Sequence, residues 1–279
     1  MRIKADDFNL EATLESGQVF GFHRTRSEHE KTIATGPGPS YFGRLRGRDV
    51  ELSMKNGYLV AHGEGLLASE LEDYFDLKAD LSPVYQILSK DEALRGLPEK
   101  LKGLRLIRQD SWEALACFIL SSNNNVKRIQ HIYKNIHAHF RGFPTASQVA
   151  KTHERTLRAL GLGYRAPFLQ RSAQFISTNP ACLDVIREAS YEEAKARVLA
   201  FPGIGPKVAD CVLLYGFHKL EAFPVDVWIL RVIRKIYFKN RKVNEARVHA
   251  FGQKRWGMDA GYVQQYLFHG ARTDVVRLQ

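Results

Sequence analysis

The hydrophobic period of this chain changes once, near Leu67, and that change limits the folds open to it. Before it, short runs are rich in aromatic and β-branched residues. FNLEATL (8–14) and QVFGFHR (18–24) read as strands. VELSMK and YLVAHG flank Asn56-Gly57, a pair suited to the two φ > 0 positions of a type I′ turn, so a hairpin is expected there. GPGPSYF (36–42) reads as a loop by its Gly and Pro content. Arg44, Arg46 and Arg48 alternate, which places them on one strand face.

After Leu67 the period is helical. Asp110 heads a run with Trp112, Leu115, Ala116, Ile119 and Leu120 on one face, and Glu113 completes the pattern of a capping box. SSNNN (121–125) interrupts it, and Val126, Ile129, Ile132, Tyr133 and Ile136 begin another helix. Thr145 with Gln148 and Ser190 with Glu193 mark two further helix starts. Ile229 to Tyr237 and a segment from about Asp259 give two more apolar stripes. The expected fold class is α+β, with a small antiparallel β-sheet domain over residues 1–66 and a larger all-helical domain over residues 67–279.

Charge bears on the partner. The formal net charge is +11, and residues 201–279 hold 13 Lys+Arg against 6 Asp+Glu, so +7 of it lies there. Such a balance favours an anion, nucleic acid first and acidic membrane second. No apolar run approaches the ~20 residues of a membrane span, and the first residues lack the apolar core of a signal peptide. Cys117, Cys182 and Cys211 are too scattered for a zinc or iron–sulfur site. An intracellular protein is expected.

The chemistry concentrates between Phe201 and Trp228. Gly203-Ile204-Gly205 is a glycine turn opening a helix, whose uncapped N–H groups and positive dipole end suit a phosphodiester. An ordinary corner between helices uses glycine too. Lys207 stands at the start of that helix, where a cation is unfavourable unless it contacts phosphate or serves as a nucleophile. Attack on carbon needs the neutral amine. Cys211 lies one turn on, and by itself reads as a small buried residue. Asp226 stands at the head of the next apolar helix. It reads as an N-cap, and its carboxylate also suits stabilisation of a sugar cation. LGLGYRA (160–166) is a weak echo of PGIGPKVA (202–209).

These segments resemble the helix-hairpin-helix glycosylase superfamily, and within it the 8-oxoguanine DNA glycosylases with AP-lyase activity. The resemblance rests on SGQVF (16–20), LRLIRQD (104–110), SSNNN, GLGYRA (161–166), PGIGPKVADC (202–211), PVDVW (224–228) and GYVQQYLF (261–268), which run in the family's order over most of the chain. It implies Lys207 as the nucleophile forming a Schiff base and Asp226 as the stabilising carboxylate. It implies base recognition by Gly17, Cys211, Gln264 and Phe268. Asn123 and Tyr164 would fill the gap left by the flipped nucleotide, and Arg128 and Arg165 would read the orphaned base. Gly203, Gly205, Val208 and Trp228 would contact the DNA. Trp228 stands where better-known members have His, and Gly21 where they have Arg, which bears on contacts to the flipped nucleotide. No four-cysteine cluster can form, unlike in endonuclease III-like relatives. No catalytic metal or redox cofactor is implied, and a monovalent cation on hairpin carbonyls is compatible with the family. The implied partner is duplex DNA containing 8-oxoguanine, bound by a monomer, with no membrane. A glycosylase for another lesion, or a non-catalytic DNA-binding scaffold, remains the alternative.

Overall fold

The computed structural model describes residues 1–25 and 38–275. The chain forms two compact units, each discontinuous in sequence. One comprises Met1–Arg108, Val227–Val248 and the segment from Tyr262, and the other Gln109–Asp226 and His249–Gly261.

The first unit contains an antiparallel sheet in the order β1-β5-β4-β3-β2. Its strands are β1 (Arg2–Lys4), β2 (His23–Arg24), β3 (Ser40–Leu45), β4 (Arg48–Lys55) and β5 (Tyr58–His62). The expected hairpin is present: Lys55 pairs with Tyr58, and Asn56 and Gly57 have φ of 52° and 77°. β3 and β4 are joined by a second such turn, with Arg46 at φ 49° and Gly47 at φ 82°.

This second turn corrects the expected arginine row. Arg44 is the second-last residue of β3, Arg46 is a turn residue and Arg48 begins β4 opposite Leu45, so they share no face. They pair separately with Asp49, Asp73 and Glu70. The loop expected over 36–42 is also revised, because Ser40–Phe42 belongs to β3; Gly36 and Pro37 lie outside the described residues. FNLEATL is a helix, not a strand. In α1 (Leu10–Glu15), Asn9 caps the Ala12 amide at 2.9 Å, and Leu10, Thr13 and Leu14 are buried. Those positions are i, i+3 and i+4, a spacing that six residues carry too briefly to stand out. QVFGFHR forms a strand only at its last two residues.

Leu10, Leu14, Tyr41, Leu52, Leu59, Leu71 and Phe75 meet in one core. Helices α2 (Ala68–Tyr74), α3 (Ser82–Lys90) and α4 (Leu97–Lys100) follow in this unit.

The second unit is helical. It begins with α5 (Ser111–Ser121), α6 (Val126–Phe140), α7 (Ala146–Lys151) and α8 (Glu154–Leu157). A π turn (Arg158–Leu162) and a 3₁₀ turn (Gly163–Arg165) lead into α9 (Ala166–Thr178). Then come α10 (Cys182–Glu188), α11 (Tyr191–Leu199) and α12 (Pro206–Phe217). The capping boxes expected at Thr145 and Ser190 are both reciprocal. At α5 only half of the expected box forms. Asp110 accepts from the Glu113 amide, while the Glu113 carboxylate turns to the Tyr133 hydroxyl.

Three helices complete the chain: α13 (Val227–Tyr237), α14 (Glu245–Trp256) and α15 (Ala260–Arg272). The sheet segment and the helical remainder make the chain α+β, as expected. No helix among the described residues is long and apolar enough to cross a membrane.

Candidate active site

Helices α11 and α12 form a hairpin around Phe201–Gly205. Gly203 is exposed at φ 78°, and a Cβ on it would lie 2.4 Å from the Phe168 ring. A side chain there clashes with α9 and requires the left-handed backbone, so glycine is needed twice over. Gly205 is the N-cap of α12 at an ordinary φ of −97°, and a Cβ on it would meet nothing within 4 Å. Its absence of side chain leaves the approach to the helix end open. No side chain caps α12, and Pro206 brings no N–H, so the amides of Lys207 and Val208 stand at the uncapped end.

Lys207, Cys211 and Tyr215 recur at four-residue intervals on α12 and therefore lie along one face. Lys207 is half-buried and Cys211 is buried. Burial pushes the Cys211 thiol up to about 11. The Lys207 ammonium pulls it back by charge and hydrogen bonding, while Asp210 and Asp226 raise it further. Cys211 is thus a neutral thiol at physiological pH and no nucleophile. Asp226, half-buried and immediately before α13, also acts on Tyr215. The fold therefore brings Lys207, Cys211 and Asp226 to the same face of α12.

Asp210 faces a different set of partners. Its carboxylate is 1% exposed, receives Lys195 Nζ at 3.0 Å and the Tyr191 hydroxyl at 2.7 Å, and lies 3.0 Å from His249 Nε2. This network ties α12 to α11 and α14. The sequence held one faint sign of it, the i, i+4 pair Tyr191 and Lys195 in front of an acid within an apolar run.

A concavity of about 560 Å³ is lined by Asn123, Asn124, Asn125, Arg128, Gly163, Tyr164 and Arg165. It gathers the four residues assigned by resemblance to the nucleotide gap and the orphaned base. Asn123 is exposed at φ 47°, Tyr164 is half exposed, and Arg128 lies exposed in the first turn of α6. Arg165 differs from them. It is buried, stacks 4.3 Å over the Tyr164 ring, and donates to the Ser122 carbonyl at 2.8 Å and the Asn123 carbonyl at 3.0 Å. Its guanidinium thus fastens the loop that presents Asn123.

The remaining residues assigned by resemblance to base recognition, Gly17, Gln264 and Phe268, lie in the first unit. Gly17 has φ 81°, and a Cβ on it would sit 3.3 Å from Phe268 Cε1. Its neighbours are pinned. Gln265 Nε2 donates to the Ser16 carbonyl at 3.1 Å, and Gln18 bonds the Arg105 carbonyl and the Ile107 amide, each at 2.8 Å. Gln18 and Gln265 could not be singled out from the sequence, because their partners are far away in it. Gln264 is buried and Phe268 half-buried on α15. Trp228 is half-buried near the start of α13, with the Arg231 guanidinium 5.9 Å from its ring centre.

Known proteins are similar to this chain in sequence and in fold. Residues 1–115 match the family model of the 8-oxoguanine DNA glycosylase N-terminal domain, and residues 116–258 match the HhH-GPD superfamily of base excision DNA repair proteins. The chain belongs to the HhH-GPD superfamily. It is 32% identical to the probable N-glycosylase/DNA lyase of Methanothermobacter thermautotrophicus, over 98% of this chain and 96% of that protein. Among solved structures it is similar to the Clostridium acetobutylicum 8-oxoguanine glycosylase/lyase in complex with double-stranded DNA containing cytosine opposite 8-oxoG. That match has 27% identity and a TM-score of 0.86, covering 99% of this chain and 98% of the other. MBOgg1 in complex with a low affinity DNA ligand is 30% identical with a TM-score of 0.88, covering 98% and 96%. In this HhH-GPD chain no group of His, Cys, Asp or Glu among the described residues is arranged to hold a metal ion.

Proposed function

We propose that this chain is a bifunctional DNA glycosylase that excises 8-oxoguanine from duplex DNA and then cleaves the strand as an AP lyase. The observation that carries this reading is the convergence of Lys207, Cys211 and Asp226 on one face of α12, beside an uncapped helix end. A phosphodiester binds at the amides of Lys207 and Val208. The target nucleotide leaves the stack, at a cost of about a few kcal/mol, while Asn123 and Tyr164 occupy the gap. Arg128 reads the orphaned base, and Arg165 holds the loop that presents Asn123.

Lys207 Nζ attacks C1′. The bond from C1′ to the base breaks, and the base departs with the electron pair and takes up a proton. Asp226 stabilises the positive charge that develops on the sugar. The amine adduct loses a proton from nitrogen, its lone pair breaks the C1′–O4′ bond while O4′ takes up a proton, and the ring-opened sugar is left as a Schiff base. Loss of a C2′ proton then expels the 3′ phosphate and nicks the strand. The Gly17 carbonyl accepts the N7 proton that 8-oxoguanine carries and guanine lacks, the Phe268 ring stacks on the base, and Gln264 meets its Watson–Crick edge. An unpaired carbonyl costs ~1–3 kcal/mol, so this contact supplies only part of the discrimination.

Phe201–Gly205 offers backbone oxygens and no carboxylate, a donor set that suits a weakly held monovalent cation better than a divalent metal. The protein acts as an intracellular, DNA-associated monomer.

Borohydride trapping on a duplex carrying 8-oxoguanine tests the mechanism. Wild type is expected to give a covalent adduct and Lys207→Gln none. An adduct from Lys207→Gln, or its absence from wild type, overturns it. A panel of other lesions tests the substrate.

A further inference from the structure

Arg272 ends α15 one turn beyond Phe268 and plays no part in the mechanism above. Its guanidinium carbon lies 5.3 Å from the centre of the Phe268 ring. Its Nη1 would be 2.9 Å from a Cβ built on Gly17. The side chain therefore sits in the angle between the two residues that would hold the base by its N7 edge and by its face. Among the described residues its guanidinium makes no ion pair or hydrogen bond, although an arginine carries five N–H donors. An uncommitted guanidinium held against a pinned backbone turn is a donor awaiting an acceptor.

The chemistry of the lesion identifies that acceptor. In 8-oxoguanine the N7–H donor stands directly beside the C8 carbonyl, so the edge reads donor then acceptor. Gly17 presents an acceptor, and Arg272 a charged donor next to it. Guanine offers the opposite at N7 and only a C–H at C8, so with N7 held against Gly17 the guanidinium meets no oxygen. We infer that Arg272 is a further specificity residue, donating a hydrogen bond to the C8 oxygen of the flipped base while Gly17 accepts from N7–H. The inference rests on the 8-oxoguanine reading proposed above. A hydrogen bond from a charged donor is stronger than one from a neutral donor, which supplies discrimination that the Gly17 carbonyl alone does not.

Arg272→Met keeps an aliphatic stem over the Phe268 ring and removes the donors; Arg272→Lys keeps a positive donor. Single-turnover rates are measured for each on a duplex with 8-oxoguanine and on one with a preformed abasic site, which has no base to read. The ratio of excision to abasic cleavage is expected to fall about tenfold or more in Arg272→Met and to recover in part in Arg272→Lys. An equal loss on both substrates makes Arg272 a phosphate contact and overturns the inference. So does undiminished or faster excision by Arg272→Met, which makes the side chain a filler of the empty slot. Absence of 8-oxoguanine excision by wild type overturns the substrate reading and this inference with it. Wild-type excision with an unchanged ratio overturns this inference alone.

Discussion

Lys195 Nζ lies 3.0 Å from Asp210 Oδ1, and that carboxylate is buried three residues after Lys207 on the same helix. The helix that carries the candidate nucleophile is thus anchored on another side by an ion pair that Tyr191 and His249 adjoin. Removing one member of a buried pair strands the other, which costs about 3–5 kcal/mol. Asp210→Ala is expected to lower the unfolding free energy by about that much, measured by urea denaturation. A loss below about 1 kcal/mol would mean that Lys195 finds water instead.

Asp226 separates a structural from a chemical role. Asn caps a helix about as well as Asp, so Asp226→Asn should melt within a few degrees of wild type. Excision should fall about a hundredfold or more, the scale seen when a preorganised stabilising group is lost. Unfolding of the variant, or activity near wild type, would each contradict the assigned role.

Gly17→Ala meets two obstacles, a backbone at φ 81° and contacts at 2.9 Å from Arg272 and 3.3 Å from Phe268. The backbone penalty alone is about 1 kcal/mol. We expect a modest drop in melting temperature with a larger drop in 8-oxoguanine excision than in cleavage of an abasic site. Equal losses on the two substrates would remove Gly17 from base recognition.

Glu113 supplies a pH dependence. Burial pushes its carboxyl up to about 7; the Tyr133 hydroxyl, bonded at 2.7 Å, opposes this, and Asp110 adds to it. The folded state therefore holds a proton that the unfolded chain releases at about pH 4.3. The folded state binds more protons between those values, so stability falls as pH rises from about 4 through 7 and levels off above. Glu113→Gln keeps an acceptor for Tyr133 and removes the titration. The wild-type stability relative to this variant should drop by on the order of 1 kcal/mol between pH 5 and pH 8. A difference that does not change with pH contradicts the assignment.

Local signals were legible in the sequence, and distant ones were not. Asn56-Gly57 declares its turn because the needed backbone belongs to those residues alone. Arg46-Gly47 makes the same turn, but the arginine alternation suggested a strand running through it. The helix at Leu10–Glu15 is too short for its period to be distinctive. Lys207 could be singled out because a cation at a helix start needs a reason, and Asp226 because it stands at the head of the next helix, where one carboxylate suits both a cap and a developing cation. Asp210 offered only the faint sign of Tyr191 and Lys195, and Gln18 and Gln265 none, since what they do depends on Lys195, Arg105 and Ser16 arriving from elsewhere in the chain. Arg165 could be placed beside Tyr164, but only the structure reveals that its donors go to Ser122 and Asn123.

The chain passes between its two compact units four times, at Arg108, Asp226, Val248 and Gly261. Synthesis proceeds from the N-terminus, yet the sheet unit includes α13 and α15, and Ser16 waits for Gln265. The unit that holds the sheet is thus finished only once α15 has left the ribosome, while the stretch from Gln109 to Asp226 can collapse earlier. Assembly of the nascent protein should accordingly follow a middle-first order, and a chain stopped before α15 should leave its N-terminal sheet open to proteases.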